Sequence, residues 1–254
     1  MKPKPTDPGS LLRSALKAHM ELGTTEVIVE RRKRATFEPT KQSGLSVSPV
    51  IATVAPSLDL IELPEIQRRQ FNSLSEHCHA INTCKLCELG GARNKFVYGV
   101  GNPQARLMFI GEAPGAEEDR KGEPFVGRAG QLLDQILAAI KFTRQDIYIA
   151  NILKCRPPNN RDPLTEEMNK CTPYLNEQIR IIQPKLICLL GRIAAQALLR
   201  TTTPLGKLRG QWHEHNGVPV LVTYHPAALL RFPAYKKETW EDVQKLRARY
   251  DEMG

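Results

Sequence analysis

The sequence predicts an α/β protein, a three-layer α/β/α arrangement around a central, mainly parallel four-stranded sheet. Four short apolar runs, at 106–110, 146–150, 185–190 and 218–223, have the composition of strands buried on both faces. Helical patterns lie between the first three runs, at 130–140 and 165–182, after the third at 192–199, and near the C-terminus at 238–250. Strand and helix in alternation imply parallel pairing through right-handed crossovers, with helices on both faces of the sheet.

With 254 residues, 41% of them hydrophobic, the chain can fill one core and leave an extension over. Residues 1–62 are rich in Pro, Ser and Thr, and their one helical pattern is Leu11, Leu12, Ala15, Leu16 and Met20. They are expected to form a poorly ordered arm with one short amphipathic helix, in which Arg31-Arg32-Lys33-Arg34 reads as a solvated charge run. The domain is expected over 63–254, opening at Pro64 with a helix over 66–79.

The 36 Lys and Arg against 27 Asp and Glu give a net charge of +9, which suits a polyanionic partner such as nucleic acid. No stretch approaches the ~18 consecutive apolar residues of a membrane helix, and Met1-Lys2-Pro3-Lys4-Pro5 leads into no apolar signal core. The expectation is a soluble, cytoplasmic protein without a membrane partner. In a reducing compartment its six cysteines ligate metal or are simply buried.

Cys84-x2-Cys87 is a chelating pair, and Cys155 and Cys171 can complete a site of four thiolates. Spacing alone leaves zinc, an iron-sulfur cluster and a redox pair open. Cys78 in a helical pattern and Cys188 inside an apolar run read as small buried hydrophobes.

In a sheet of parallel strands, the carboxyl ends form the functional edge. The first run is followed by Gly111-Glu112-Ala113-Pro114-Gly115, the second by Asn151, the third by Gly191, and the fourth, two residues on, by His225-Pro226. Each polar residue alone reads as a cap or turn residue, but three at the ends of three strands suggest one mouth. There Glu112 can orient or deprotonate a water, Asn151 can offer an acceptor and two donors to a flat heterocycle, and His225 can stabilise an anion. The chemistry this describes is hydrolysis of a bond to a nucleobase. The glycine-rich loop 115–130 carries Phe125, readable either as a stacking surface or as a loop anchor. Its glycines match neither the dinucleotide nor the Walker pattern.

Taken in order, Cys84-x2-Cys87, Gly111-Glu-Ala-Pro-Gly, the run from Gly122 to Gly130, Asn151-x3-Cys-Arg-Pro-Pro and His225-Pro-Ala-x-Leu-Leu-Arg resemble the family 4, iron-sulfur uracil-DNA glycosylases over about 75–250. The resemblance implies a structural 4Fe-4S cluster on Cys84, Cys87, Cys155 and Cys171, no organic cofactor, and a monomer acting on uracil in single- or double-stranded DNA near the nucleoid. It implies stacking by Phe125, recognition of uracil by Asn151 beside Gly111, support of the charge on O2 by His225, and exclusion of thymine by Glu118. Glu112 is the first choice to position water, since Ala113 stands where family 1 enzymes have Asp. Leu229 or Leu230 would enter the gap left by the extruded base, with Arg231 at a phosphate. Two rivals stand beside this: a DNA-binding module without hydrolysis, and a relative that is trapped covalently through His213 or His215.

Overall fold

The computed structural model describes residues 64–253; the expected arm and its helix lie outside them. Strands are β1 (Val100–Gly101), β2 (Leu107–Gly111), β3 (Tyr148–Asn151), β4 (Leu186–Leu190), β5 (Trp212–His215) and β6 (Val218–Thr223). Helices are α1 (Glu65–Arg68), α2 (Leu74–Ile81), α3 (Leu89–Ala92), α4 (Ala116–Lys121), α5 (Arg128–Ala139), α6 (Thr165–Ile182), α7 (Arg192–Leu198), α8 (Leu205–Leu208), α9 (Pro226–Arg231) and α10 (Tyr235–Glu252).

The sheet has six strands in the order β1-β3-β2-β4-β6-β5, two more than expected. The four expected strands form its parallel centre, and β1 and β5 are added antiparallel at the two edges. Neither edge strand has an apolar run to announce it. β1 is two residues long, and β5 reads Trp-His-Glu-His with every residue at least partly exposed, because edge strands face water.

Alternate residues of the central strands supply two cores. Met108, Ile110, Ile187 and Leu189 pack beneath α2, α6 and α7, whereas Leu107, Phe109, Cys188 and Leu190 pack beneath α5 and α10. Cys188 is fully buried, as expected of a small hydrophobe. Among the described residues no helix is long and apolar enough to cross a membrane.

The expected helix over 66–79 is instead two helices, α1 and α2. Ser73 caps α2 by accepting from the Glu76 amide, and the break buries Phe71, whose own amide donates to Glu177 on α6. The start of the loop 115–130 is also helical: α4 ends at Gly122 in a left-handed turn (φ 87°) that suits glycine.

The register fixes where the strands end. Gly111 stands opposite Asn151, and Leu190 stands opposite Thr223. Because β3 lies on one side of β2 and β4 on the other, their connections leave in opposite directions, and the crevice this opens is the usual ligand site of such sheets.

Candidate active site

Three side chains from separate segments, Phe125, Asn151 and His225, meet at that crevice. Cβ built on Gly111 would lie 2.5 Å from Asn151 Oδ1 and 2.6 Å from Phe125 Cζ, so the glycine is what lets both approach the end of β2. The Phe125 and His225 rings are 5.4 Å apart between centroids. Gly191, at φ 92°, would put a Cβ 3.0 Å from His225 Cβ, so the third strand end is glycine for the same reason of space.

Asn151 is 2% exposed, and its Oδ1 has no hydrogen-bond donor within reach. A buried amide oxygen left unpaired costs about 1–3 kcal/mol, which a ligand N–H removes. The backbone that carries it is anchored from behind. Lys154, fully buried, donates from Nζ to Asn151 O at 2.9 Å and to Gln178 Oε1 at 2.6 Å on α6. Burial lowers this ammonium to about 8, and the surrounding cysteines oppose the shift.

His225 is the N-cap of α9: its Nδ1 accepts from Ala227 N at 3.1 Å. With Nδ1 occupied as an acceptor, the ring proton sits on Nε2 and is free to donate to a ligand. Burial and, to a lesser extent, the Arg231 cation push the ring down to about 4 against the opposing charge of Glu118, so the imidazole is neutral at physiological pH.

Phe125 is held in an uncommon conformation, with φ of 55°, a strain of about 1–3 kcal/mol that its surroundings must offset. Arg144 supplies part of that, donating to Pro124 O at 3.1 Å and to Phe125 O while pairing with Asp134. Glu118 supplies more: its Oε1 accepts from the Val126 and Gly127 amides, both at 2.9 Å, and its Oε2 accepts from Gly115 N at 3.2 Å. Gly130 completes the clamp, since a Cβ there would collide with Phe125 O. The carboxylate of Glu118 is thus fully engaged in folding the loop.

Glu112 follows β2 and is partly buried. Burial raises its carboxyl to about 7, Asp162 raises it too, and Arg192 and Arg231 oppose them. Asp162 and Arg192 are themselves paired at 2.6 Å. On α9, Leu229 is 1% exposed and packs inside, whereas Leu230 is 41% exposed and Arg231 points to solvent beside it. Of the two leucines, Leu230 is the one whose side chain reaches solvent.

Cys84, Cys87, Cys155 and Cys171 also converge. Burial pushes the Cys171 thiol up to about 12, with Lys154 opposing and Cys155 and Cys84 adding to it, and Cys155 in turn senses Cys87 and Cys84. Three donors aim at the sulfurs: Arg93 Nη1 to Cys155 at 3.2 Å, Lys154 N to Cys171 at 3.3 Å and Tyr174 OH to Cys84 at 3.4 Å. Gly90 lets α3 close on this loop, since a Cβ there would stand 2.5 Å from Cys84 O. Among the described residues no three His, Cys, Asp or Glu side chains are close enough to share a single metal ion. Four thiols from three segments, three of them met by N–H or O–H donors, form the kind of donor set that holds a thiolate-bound metal ion or an iron-sulfur cluster.

Lys154 and Arg144 escaped the sequence reading. The one hint for Lys154 is its place beside Cys155, and nothing local marks Arg144, which reaches Phe125 only through the fold. His213 and His215, the residues of the trapping reading, lie on β5. His215 stands opposite Val218, at the start of β6 and away from the crevice, and His213 Nε2 is engaged by Leu208 O at 2.8 Å.

Residues 98–244 match the model of the uracil DNA glycosylase superfamily. The chain is 44% identical over 182 residues to the type-4 uracil-DNA glycosylase of Archaeoglobus fulgidus, covering 68% of this chain and 92% of that one. It is 42% identical to that of Sulfurisphaera tokodaii, over 69% of this chain and 84% of that one. Against that of Saccharolobus solfataricus the identity is 44%, over 66% and 82%.

The tautomer can be read directly. Nitrogen NMR of His225 is expected to find the proton on Nε2 and a titration midpoint near 4; a ring still charged at about pH 6, or protonated on Nδ1, overturns the assignment.

Proposed function

The chain belongs to the uracil DNA glycosylase superfamily and, within it, to the type-4 enzymes, and from that membership we propose how its residues divide the hydrolysis of uracil from DNA. The protein is a DNA repair hydrolase that cuts the N-glycosidic bond between uracil and deoxyribose. The observation that carries the assignment of roles is the buried, unpaired Oδ1 of Asn151 beside Phe125 and His225.

Uracil extruded from the strand stacks on Phe125 and turns its N3–H and O4 to the Asn151 amide, Oδ1 accepting and Nδ2 donating. Cytosine presents the reverse pattern at these two atoms and leaves the amide unpaired twice over. As the bond from C1′ to N1 breaks, both electrons leave with the base, and His225 Nε2–H donates to the O2 that gains charge. A neutral ring suits this role: it stabilises the anion by a hydrogen bond and need not surrender its proton. Water then adds to C1′ of the oxocarbenium-like sugar, and the Glu112 carboxylate takes its proton. A carboxyl near 7 is well matched to that task.

Glu118 serves recognition through the loop it folds, and the space beside uracil C5 where a thymine methyl would go is limited by that loop. Leu230 fills the gap in the strand, and Arg231 faces a phosphate. Cys84, Cys87, Cys155 and Cys171 hold a 4Fe-4S cluster, which when bound supplies a structural cross-link between the loop before β1, the end of β3 and α6. Through Lys154 the same region bears on the backbone of Asn151. The enzyme acts as a monomer on single- or double-stranded DNA.

An oligonucleotide with one deoxyuridine tests the reading. Free uracil and an alkali-labile site are expected; an adduct stable to detergent favours the trapping relative, and neither product favours a binding module. Asn151→Ala is expected to slow release by ~10³-fold or more while affinity for undamaged DNA barely moves, because phosphates supply most of it. Equal losses in both would remove Asn151 from its role.

Single-turnover rates are expected to climb about tenfold per pH unit below about 7 and to level above it, as the Glu112 carboxyl ionises. Glu112→Gln should be slower and flat over that range. A wild-type profile without an inflection there would show that another group handles the water.

Purified protein should be brown and contain iron, and replacing Cys84 and Cys87 by Ser should remove both colour and iron. Colourless protein with one equivalent of zinc would defeat the cluster.

A further inference from the structure

Beyond the extruded base lies a surface that the proposed reaction leaves without a task. Among the described residues five large hydrophobic side chains are exposed, and two of them, Leu230 and Phe232, stand at the end of α9. Phe232 is 55% exposed, and Arg231, Pro233 and Ala234 around it are exposed as well. Its ring is 5.7 Å from that of Tyr235, which lies parallel to Tyr224 at 4.2 Å. Arg209 backs the pair, with its guanidinium carbon 5.6 Å from the Tyr224 centroid. Phe232 is therefore the solvent-facing end of a rigid aromatic row.

Charge beside the row fits a nucleic acid strand. Lys236 and Lys237 are exposed, and among the described residues neither has a carboxylate within ion-pair distance. The surface also shares a helix with the active site: His225 caps the start of α9 and Phe232 its end, so at about 1.5 Å per residue their backbones stand ~10 Å apart along its axis.

We propose that Phe232, backed by Tyr235 and Tyr224 and flanked by Lys236 and Lys237, is a stacking platform for an unpaired base of the DNA strand that carries the uracil. The proposal deepens the glycosylase reading and rests on it. In a single strand the base is already free to lie on the ring. In a duplex it must first leave its pair and its neighbours, and that opening opposes binding. The platform therefore selects single-stranded substrate, and Leu230 and Phe232 have separate tasks: one fills the gap left by uracil, the other holds the strand beyond it.

Phe232→Ala suits the test because the side chain is exposed and its loss leaves no cavity. Affinity is read by fluorescence anisotropy on a labelled single strand carrying one tetrahydrofuran abasic residue. Uracil release is read on single- and double-stranded oligonucleotides of the same sequence. The variant is expected to bind the single strand about tenfold more weakly and to show a single-strand KM raised to match. Its kcat and its KM on duplex should stay the same, and Phe232→Trp should restore affinity. The steepness of binding against salt should be unchanged by Phe232→Ala and reduced by Lys236→Ala with Lys237→Ala, since stacking displaces no counterions and phosphate contacts do. Wild-type affinity in Phe232→Ala, or an equal loss on both substrates, would overturn the platform. A wild-type protein that releases no uracil would sink the glycosylase reading, and the anisotropy comparison would still decide the platform.

Discussion

A strand register is the constraint on which everything else depends. Gly111 opposite Asn151 and Leu190 opposite Thr223 bring the carboxyl ends of the central strands level, so that loops distant in sequence open at one edge. Sliding a strand by one residue would turn its side chains to the other face and send Asn151 into a core. Apolar residues on both faces of β2, β3 and β4 hold the register, because every one of them is buried and none can move to water without cost.

Around this edge the chain keeps several local costs in place. Asn151 keeps a buried oxygen unpaired, Phe125 keeps a positive φ, and Glu112 keeps a carboxyl in surroundings that favour its protonated form. Each is offset by a contact from elsewhere: Lys154 behind Asn151, Arg144 and Glu118 around Phe125, Arg192 and Arg231 near Glu112. Such strain persists only where the surroundings over-determine it, and its concentration at one mouth agrees with the proposed chemistry.

Glu118 has a task that its sequence motif does not disclose. The motif put it at the pocket, as a side chain filling the space of a methyl group. Its three backbone hydrogen bonds also make it the organiser of the loop that carries Phe125. At α9 helical spacing turns Leu229 inward and leaves Leu230 outside, a difference between the two leucines that the motif left open.

By itself the sequence determined the parallel centre of the sheet, the helices that cover it and the residues at the strand ends. These are local patterns of hydrophobicity and turn chemistry, and the ordered motifs named the family that the comparisons bear out. It missed β1 and β5, because a short or half-exposed edge strand has no buried run to betray it. It also read the break before Ser73 as continuous helix, since only packing of Phe71 against α6 makes that break worthwhile. Tertiary structure alone decided that Arg144 grips the Phe125 loop, that Lys154 lies buried behind Asn151, and that Phe232 stands on a row of tyrosines. These contacts join residues brought together by the fold, and no periodicity along the chain encodes which distant side chains will meet.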